Sequence, residues 1–137
     1  MSTAVFLTEG LDIATKNLLG QAIAITPKLR MFSNNVNPAA SDTLGTYTAN
    51  GLAGGADVAI TPANWVGSSA GGVATYTYPN ITFTFAAYAG GTTIYGGVYF
   101  DNTSGKALFA FTLDTPYAVP AAGGTLTVAM TFSDHKC

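Results

Sequence analysis

The residues that could carry chemistry are few and stand apart from one another. The only histidine is His135, in the polar stretch Ser133 to Cys137, whereas a catalytic triad needs a base held firmly against its nucleophile. The acids Glu9, Asp12, Asp42, Asp57, Asp101, Asp114 and Asp134 occur singly, at no helical or strand spacing that would converge two of them on a metal ion. Glycoside hydrolysis asks only that folding bring two carboxyl groups to a suitable separation, and it is the one enzyme reading these acids leave open. The glycine pairs Gly54-Gly55, Gly71-Gly72 and Gly123-Gly124 lack the lysine and following helix of a phosphate-binding loop. Cys137, the single cysteine, excludes an internal disulfide and a multi-cysteine metal site and leaves only crosslinking between copies. The expectation is a non-enzyme with no cofactor and no metal. Tyr76, Tyr78 and Tyr95 could stack on the apolar faces of a sugar, although tyrosine serves cores and interfaces more often.

With so little reactive chemistry, the question becomes what kind of object the chain is. Its 137 residues suit one domain. Charged residues make up 9%, against roughly a quarter in an ordinary soluble domain. So few charges point either to a plain Thr/Asn-rich β surface or to an exterior covered by copies and partners. A net charge of −2 with only five Lys and Arg argues against nucleic acid. No run approaches the ~18 apolar residues of a membrane span. The N-terminus lacks the basic region, apolar run and cleavage site of a secretory signal, so synthesis in a cytoplasm is expected.

The elements that must position any site begin with the hairpin Thr92 to Leu113. Ile94, Val98 and Phe100 share one parity on its first arm, and Ala107, Phe109, Phe111 and Leu113 share one on its second, the period-two signature of strands. Asp101-Asn102-Thr103-Ser104-Gly105 between them is turn chemistry. Gly96-Gly97 inside the first arm calls for a kink or a tight backbone contact. Upstream, the apolar lead Val5-Phe6-Leu7 runs into a helix over Thr8 to Gly20, with Leu11, Ala14, Leu18 and Leu19 on one face, Thr8 as cap, Glu9 favoured by the dipole and Gly20 as the stop. This arm, residues 1–20, either covers the open end of its own sheet or reaches onto a neighbour. Residues 21–137 form the domain proper. Lys28 to Ser33 alternates as a strand, with Leu29 and Met31 on one face, and Asn34 to Pro38 ends it. Ala39 to Gly72 reads as loops with short strands near Asp57 to Thr61 and Trp65-Val66, where Trp65 is a core plug or an interface anchor. Val73 to Tyr78, a Pro79-Asn80 turn, Ile81 to Phe85 and Thr125 to Phe132 complete the pattern, with threonines on the outer faces. The predicted fold is all-β: an antiparallel β-sandwich of the jelly-roll type with a short N-terminal α-helix.

The order TEGLDIATKNLLG, LRMFSNNVNP, TIYGGVYFDNTSGKALFAF resembles a family of small tailed-bacteriophage structural proteins, the capsid decoration (cement) and tail-associated β-sandwich proteins. The likeness spans Thr8 to Phe132 and rests on structural motifs, with no active site to carry over. It implies a virion protein on the outside of a phage head, a homotrimer that touches the major capsid protein and bridges capsomers. On this reading, Val5, Phe6, Leu7, Leu11, Leu18, Trp65, Tyr76 and Tyr95 are the interface candidates, with the arm as the first candidate bridge. The alternative is a tail or fibre module that binds a host-surface glycan.

Overall fold

A computed structural model describes residues 4–21 and 23–135. The thiol of Cys137 lies outside the described residues. Eight strands form two antiparallel sheets. The larger has the order β1 (Ala4–Phe6), β7 (Ala107–Ala118), β6 (Thr93–Asp101), β2 (Pro27–Phe32), β3 (Val58–Ala59). The smaller consists of β4 (Val66–Ala70), β5 (Val73–Phe85) and β8 (Gly124–His135). The helix α1 covers Thr8–Leu18. The sandwich is therefore present, but the jelly-roll order is not. β4–β5 and β6–β7 are hairpins within one sheet, which departs from the paired Greek keys of a jelly roll.

The two sheets meet through Leu29, Met31, Ile94, Tyr99, Phe109 and Phe111 on one side and Tyr78, Phe83, Phe85, Val128 and Met130 on the other. The five-stranded sheet is buried on its second face as well, where Leu7, Phe32, Tyr47, Val98, Ala107 and Ala110 form a smaller cluster. Val36, Leu44 and Tyr47, from the segment after β2, cover that face. Tyr47 tilts against Phe32, its ring centroid 4.9 Å away, and donates a 2.8 Å hydrogen bond to Asp42. Burial first, then the Asp42 hydrogen bond and charge, hold the Tyr47 phenol well above its ordinary pKa. Arg30 secures the same cover through Asp57, at 3.1 and 3.2 Å, and the Tyr47 carbonyl, and lies over the Phe100 ring at 5.3 Å.

Irregularities in the ladders explain where strict alternation fails. Register shifts lie between Ile94 and Gly96 and between Tyr99 and Phe100, so Ile94 and Val98, equal in parity, fall into different clusters. Leu108 is the extra residue of the second shift, which turns Ala107 to the face opposite Phe109. Pro79-Asn80 is a bulge rather than a turn, because β5 runs on through it with its register against β8 shifted between Tyr78 and Ile81. β4 pairs β5 only as far as Thr77, so the missing N–H of Pro79 falls where β5 has just lost that neighbour. The bulge also allows even-numbered Tyr78 and odd-numbered Phe83 and Phe85 to point into the same core. The expected polar tail is likewise shorter, since β8 continues to His135.

The N-terminal arm folds onto its own chain. Strand β1 pairs with β7, Leu7 donates to the Leu108 carbonyl at 2.9 Å and is 0% exposed, and Glu9 accepts from the Ala107 N–H at 3.1 Å and pairs with Lys106 at 3.2 Å. Leu7 rather than Thr8 occupies the N-cap position. Gly10 is what lets α1 approach, because a β-carbon there would overlap the Leu108 carbonyl and lie 2.7 Å from its Cα. Gly10→Ala should therefore destabilise despite the ~1 kcal/mol that alanine adds to a helix interior. The overlap is with backbone and has no rotamer to relieve it, so a net loss of about 2 kcal/mol is expected in urea unfolding. A neutral or stabilising result would mean that the helix is not docked as described.

A candidate binding pocket and a charge-free face

The side of α1 turned toward the sheets is its Gly10, Ile13, Ala14, Asn17 stripe, of which only Gly10 is buried. The leucines grouped on one face in the sequence point outward, with Leu11 48%, Leu18 86% and Leu19 69% exposed. Opposite the inner stripe, one mouth of the sandwich opens into a cavity of about 420 Å³. Its wall is aromatic: Phe6, Trp65, Tyr76, Tyr99, Phe109 and Phe132, with Leu108 and Ile25. The rings brace one another, Phe6 edge-on to Phe132 at 5.5 Å, Trp65 edge-on to Tyr78 at 5.1 Å, and Tyr99 stacked on Phe109 at 4.7 Å, geometries that aromatic quadrupoles favour.

The polar side chains of the lining are Asn17, Trp65, Tyr76 and Tyr99. Asn17 accepts from the Ile23 N–H at 2.7 Å. The Tyr99 phenol is raised above its ordinary pKa by burial first, with a hydrogen bond from the Trp65 side chain opposing and neighbouring Tyr78 adding to it. Tyr78 accepts from the Thr61 N–H at 3.0 Å. Among the described residues, no charged side chain lines the cavity.

Of the interface candidates, Phe6, Trp65 and Tyr76 come together here. Leu11 and Leu18 lie on the outer side of the helix. Val5 and Tyr95 pack against the second cluster, on the other face of the large sheet. Leu7 is withdrawn from the list, since it is wholly buried within its own chain. Tyr76, Tyr78 and Tyr95 do not form a shared sugar-stacking patch: Tyr78 is buried and Tyr95 is across the sheet. Tyr99, Phe109 and Phe132 complete the pocket. Their aromatic, alternating pattern is visible in the sequence, but it cannot distinguish the middle of a sandwich from its mouth.

Tyr76 owes its position to Gly67, directly across the ladder. A β-carbon on Gly67 would overlap the Tyr76 ring. That ring is 46% exposed and can swing away, so Gly67→Ala should cost under about 1 kcal/mol while moving Tyr76 out of the pocket. A change in the near-ultraviolet circular dichroism with little change in urea midpoint is the expected signature.

The outer face of the small sheet has a different character. Thr77 opposes Thr131, Thr82 opposes Thr127 and Thr84 opposes Thr125 across β5 and β8, all exposed, with the Thr82 and Thr127 hydroxyls 3.2 Å apart. Beside them β4 is exposed along its whole length. No Asp, Glu, Lys, Arg or His occurs from Val58 to Phe100 or from Thr115 to Ser133, so the stretch of this face from the Thr77–Thr131 pair to the Thr84–Thr125 pair holds no charged residue.

The described carboxylates have structural partners. Asp12 pairs with Lys16 at 2.9 Å, Asp42 with Tyr47, Asp57 with Arg30 and Glu9 with Lys106. Asp101 holds the β6–β7 loop. Among the described residues no three His, Cys, Asp or Glu side chains cluster as metal ligands would, and no helix is long and apolar enough to cross a membrane. No protein family, curated protein or solved structure matches the chain.

Proposed function

We propose that this protein is a structural component of a phage virion, a decoration protein that binds the outside of the head and bridges neighbouring capsomers as a homotrimer. The observation that carries the reading is the uncharged threonine ladder of β5 and β8, from the Thr77–Thr131 pair to the Thr84–Thr125 pair, flanked by exposed β4. Stripping water from a charged surface costs several kcal/mol per ion, whereas a hydroxyl that exchanges one hydrogen bond for another costs far less. A ladder of paired threonines remains soluble when uncovered and is readily buried against another protein. The motif resemblance supplies the kind of partner, and a repeated lattice supplies avidity. The bridging role passes from the N-terminal arm, which is folded into its own sheet, to this face and to the outward leucines of α1.

The test is co-sedimentation of the full chain with empty heads of the parent phage, alongside Thr127→Lys. The wild type should pellet in fixed stoichiometry. The variant places a cation in the middle of the face, where a surface change costs the fold no more than about 0.5 kcal/mol, and should lose at least tenfold in binding. Absence of the wild type from the pellet, or equal binding of the variant, would refute the assignment.

A further inference from the structure

We infer that the aromatic mouth between α1 and the two sheets is a binding site for an uncharged, largely hydrocarbon small molecule. Its volume of about 420 Å³ lies in the range of pockets that enclose small ligands, ~300–1,000 Å³. The chemistry of the wall selects the ligand. With no ionised side chain on the lining among the described residues, nothing there would compensate the desolvation of a charged ligand. A sugar needs several free hydrogen-bonding groups beside its stacking ring, whereas the one amide of the lining, Asn17, is held by Ile23 through both its oxygen and its nitrogen. The rest of the wall is ring and alkyl surface apart from the Tyr76 and Tyr99 hydroxyls and the Trp65 indole N–H. What the site offers is ring faces and edges from Phe6, Trp65, Tyr76, Phe109 and Phe132, which bind alkyl and aromatic groups through area and dispersion. The site is also preformed: Gly10 seats the helix wall against Leu108, and Gly67 leaves room for Tyr76. This inference is independent of shell binding, since the pocket and the threonine face are built from different side chains.

Trp65 is the only tryptophan and lines the pocket, so the protein carries its own reporter. The experiment titrates the isolated full chain with the neutral probe N-phenyl-1-naphthylamine, following probe emission and energy transfer from Trp65, with the mass in solution measured throughout. One saturable site per chain with transfer from Trp65 is expected. Ala14→Phe, which adds a ring at an exposed helix position facing the cavity, should weaken binding at least tenfold, whereas Thr82→Ser on the outer sheet face should leave it unchanged. If Ala14→Phe fails to fold, Tyr76→Ala serves instead and should alter affinity at least threefold by removing one wall. Non-saturable binding, equal binding by the pocket variant, or a doubling of mass that excludes the probe would overturn the inference, the last by identifying a second copy as the occupant.

Discussion

Gly96→Ala should destabilise the protein by about 4 kcal/mol, at the upper end of what a single added methyl does to a packed interior. Gly96 sits in β6 with β7 on one side and β2 on the other, opposite Thr112 and Phe32. A β-carbon there would overlap the Phe111 carbonyl and come within 2.7 Å of the Phe32 ring and 2.9 Å of the Thr112 Cα. Two of these three neighbours are backbone of the adjacent strand, and the third is wholly buried beside Tyr47. None can retreat without opening the sheet. Gly96 also adjoins the register shift that begins after Ile94, so pressure there acts on the step that places Ile94 in one core and Val98 in the other. Alanine should strongly lower the urea midpoint and reduce protection of the β6 and β7 amides in hydrogen exchange. A loss below about 1 kcal/mol would mean that the strands are not spaced as described.

Asp101→Ala should cost about 3 kcal/mol or more, because a single buried carboxylate organises the loop between β6 and β7. Asp101 is 2% exposed. It accepts from the Thr26 N–H at 2.7 Å, the Thr103 N–H at 3.2 Å, the Ser104 N–H at 3.1 Å and the Ser104 hydroxyl at 2.6 Å. The Thr26 bond ties the segment before β2 to the hairpin, and the Asn102 N–H reinforces it by donating to the Thr26 carbonyl at 2.8 Å. Burial by itself would raise the Asp101 pKa, but the hydrogen bonds from Ser104, Thr26 and Thr103 outweigh it and the net direction is downward.

A carboxyl group whose folded pKa lies below its unfolded value stabilises the fold above the unfolded pKa. That contribution disappears as the pH falls through the folded value. The wild type should therefore lose stability on acidification below about pH 4, the ordinary aspartate range. Asp101→Ala, already without the contribution, should show a shallower acid limb. Asp101→Asn should be intermediate at neutral pH, since its amide oxygen can still accept while its NH₂ faces backbone N–H groups, with only the Ser104 hydroxyl able to accept from it. Parallel acid limbs in wild type and Asp101→Ala would show that Asp101 is not the group responsible.

The comparison of sequence and fold divides along a physical line. Local pattern was enough for the β class, most strand positions, the helix, the β6–β7 loop and the tension at Gly96-Gly97. Alternation, turn residues and glycine act over two to five neighbouring positions, and those interactions are written in adjacent residues. The cluster assignments of Ile94, Val98 and Ala107 were not legible, because a ladder shift flips a face without changing residue types.

The arm shows the same limit at larger scale. Leu7, Leu11 and Leu18 read alike as apolar positions, yet Leu7 is wholly buried and Leu18 is 86% exposed. The docking of α1 is decided by Gly10, whose contribution is an absent side chain fitted against a carbonyl 98 positions away, at Leu108. Phe6, Trp65 and Tyr76 were visible as candidates, but their partners Tyr99, Phe109 and Phe132 come from β6, β7 and β8. What the sequence by itself determined was that this is a low-charge β protein with threonine-lined strands, since composition and period are properties of the chain. Only the tertiary structure decided that six of its aromatic rings would meet at one mouth of the sandwich and that its paired threonines would make one uncharged face. Both depend on strand register and on how far one sheet covers the other, and these are set by contacts between residues distant in the chain.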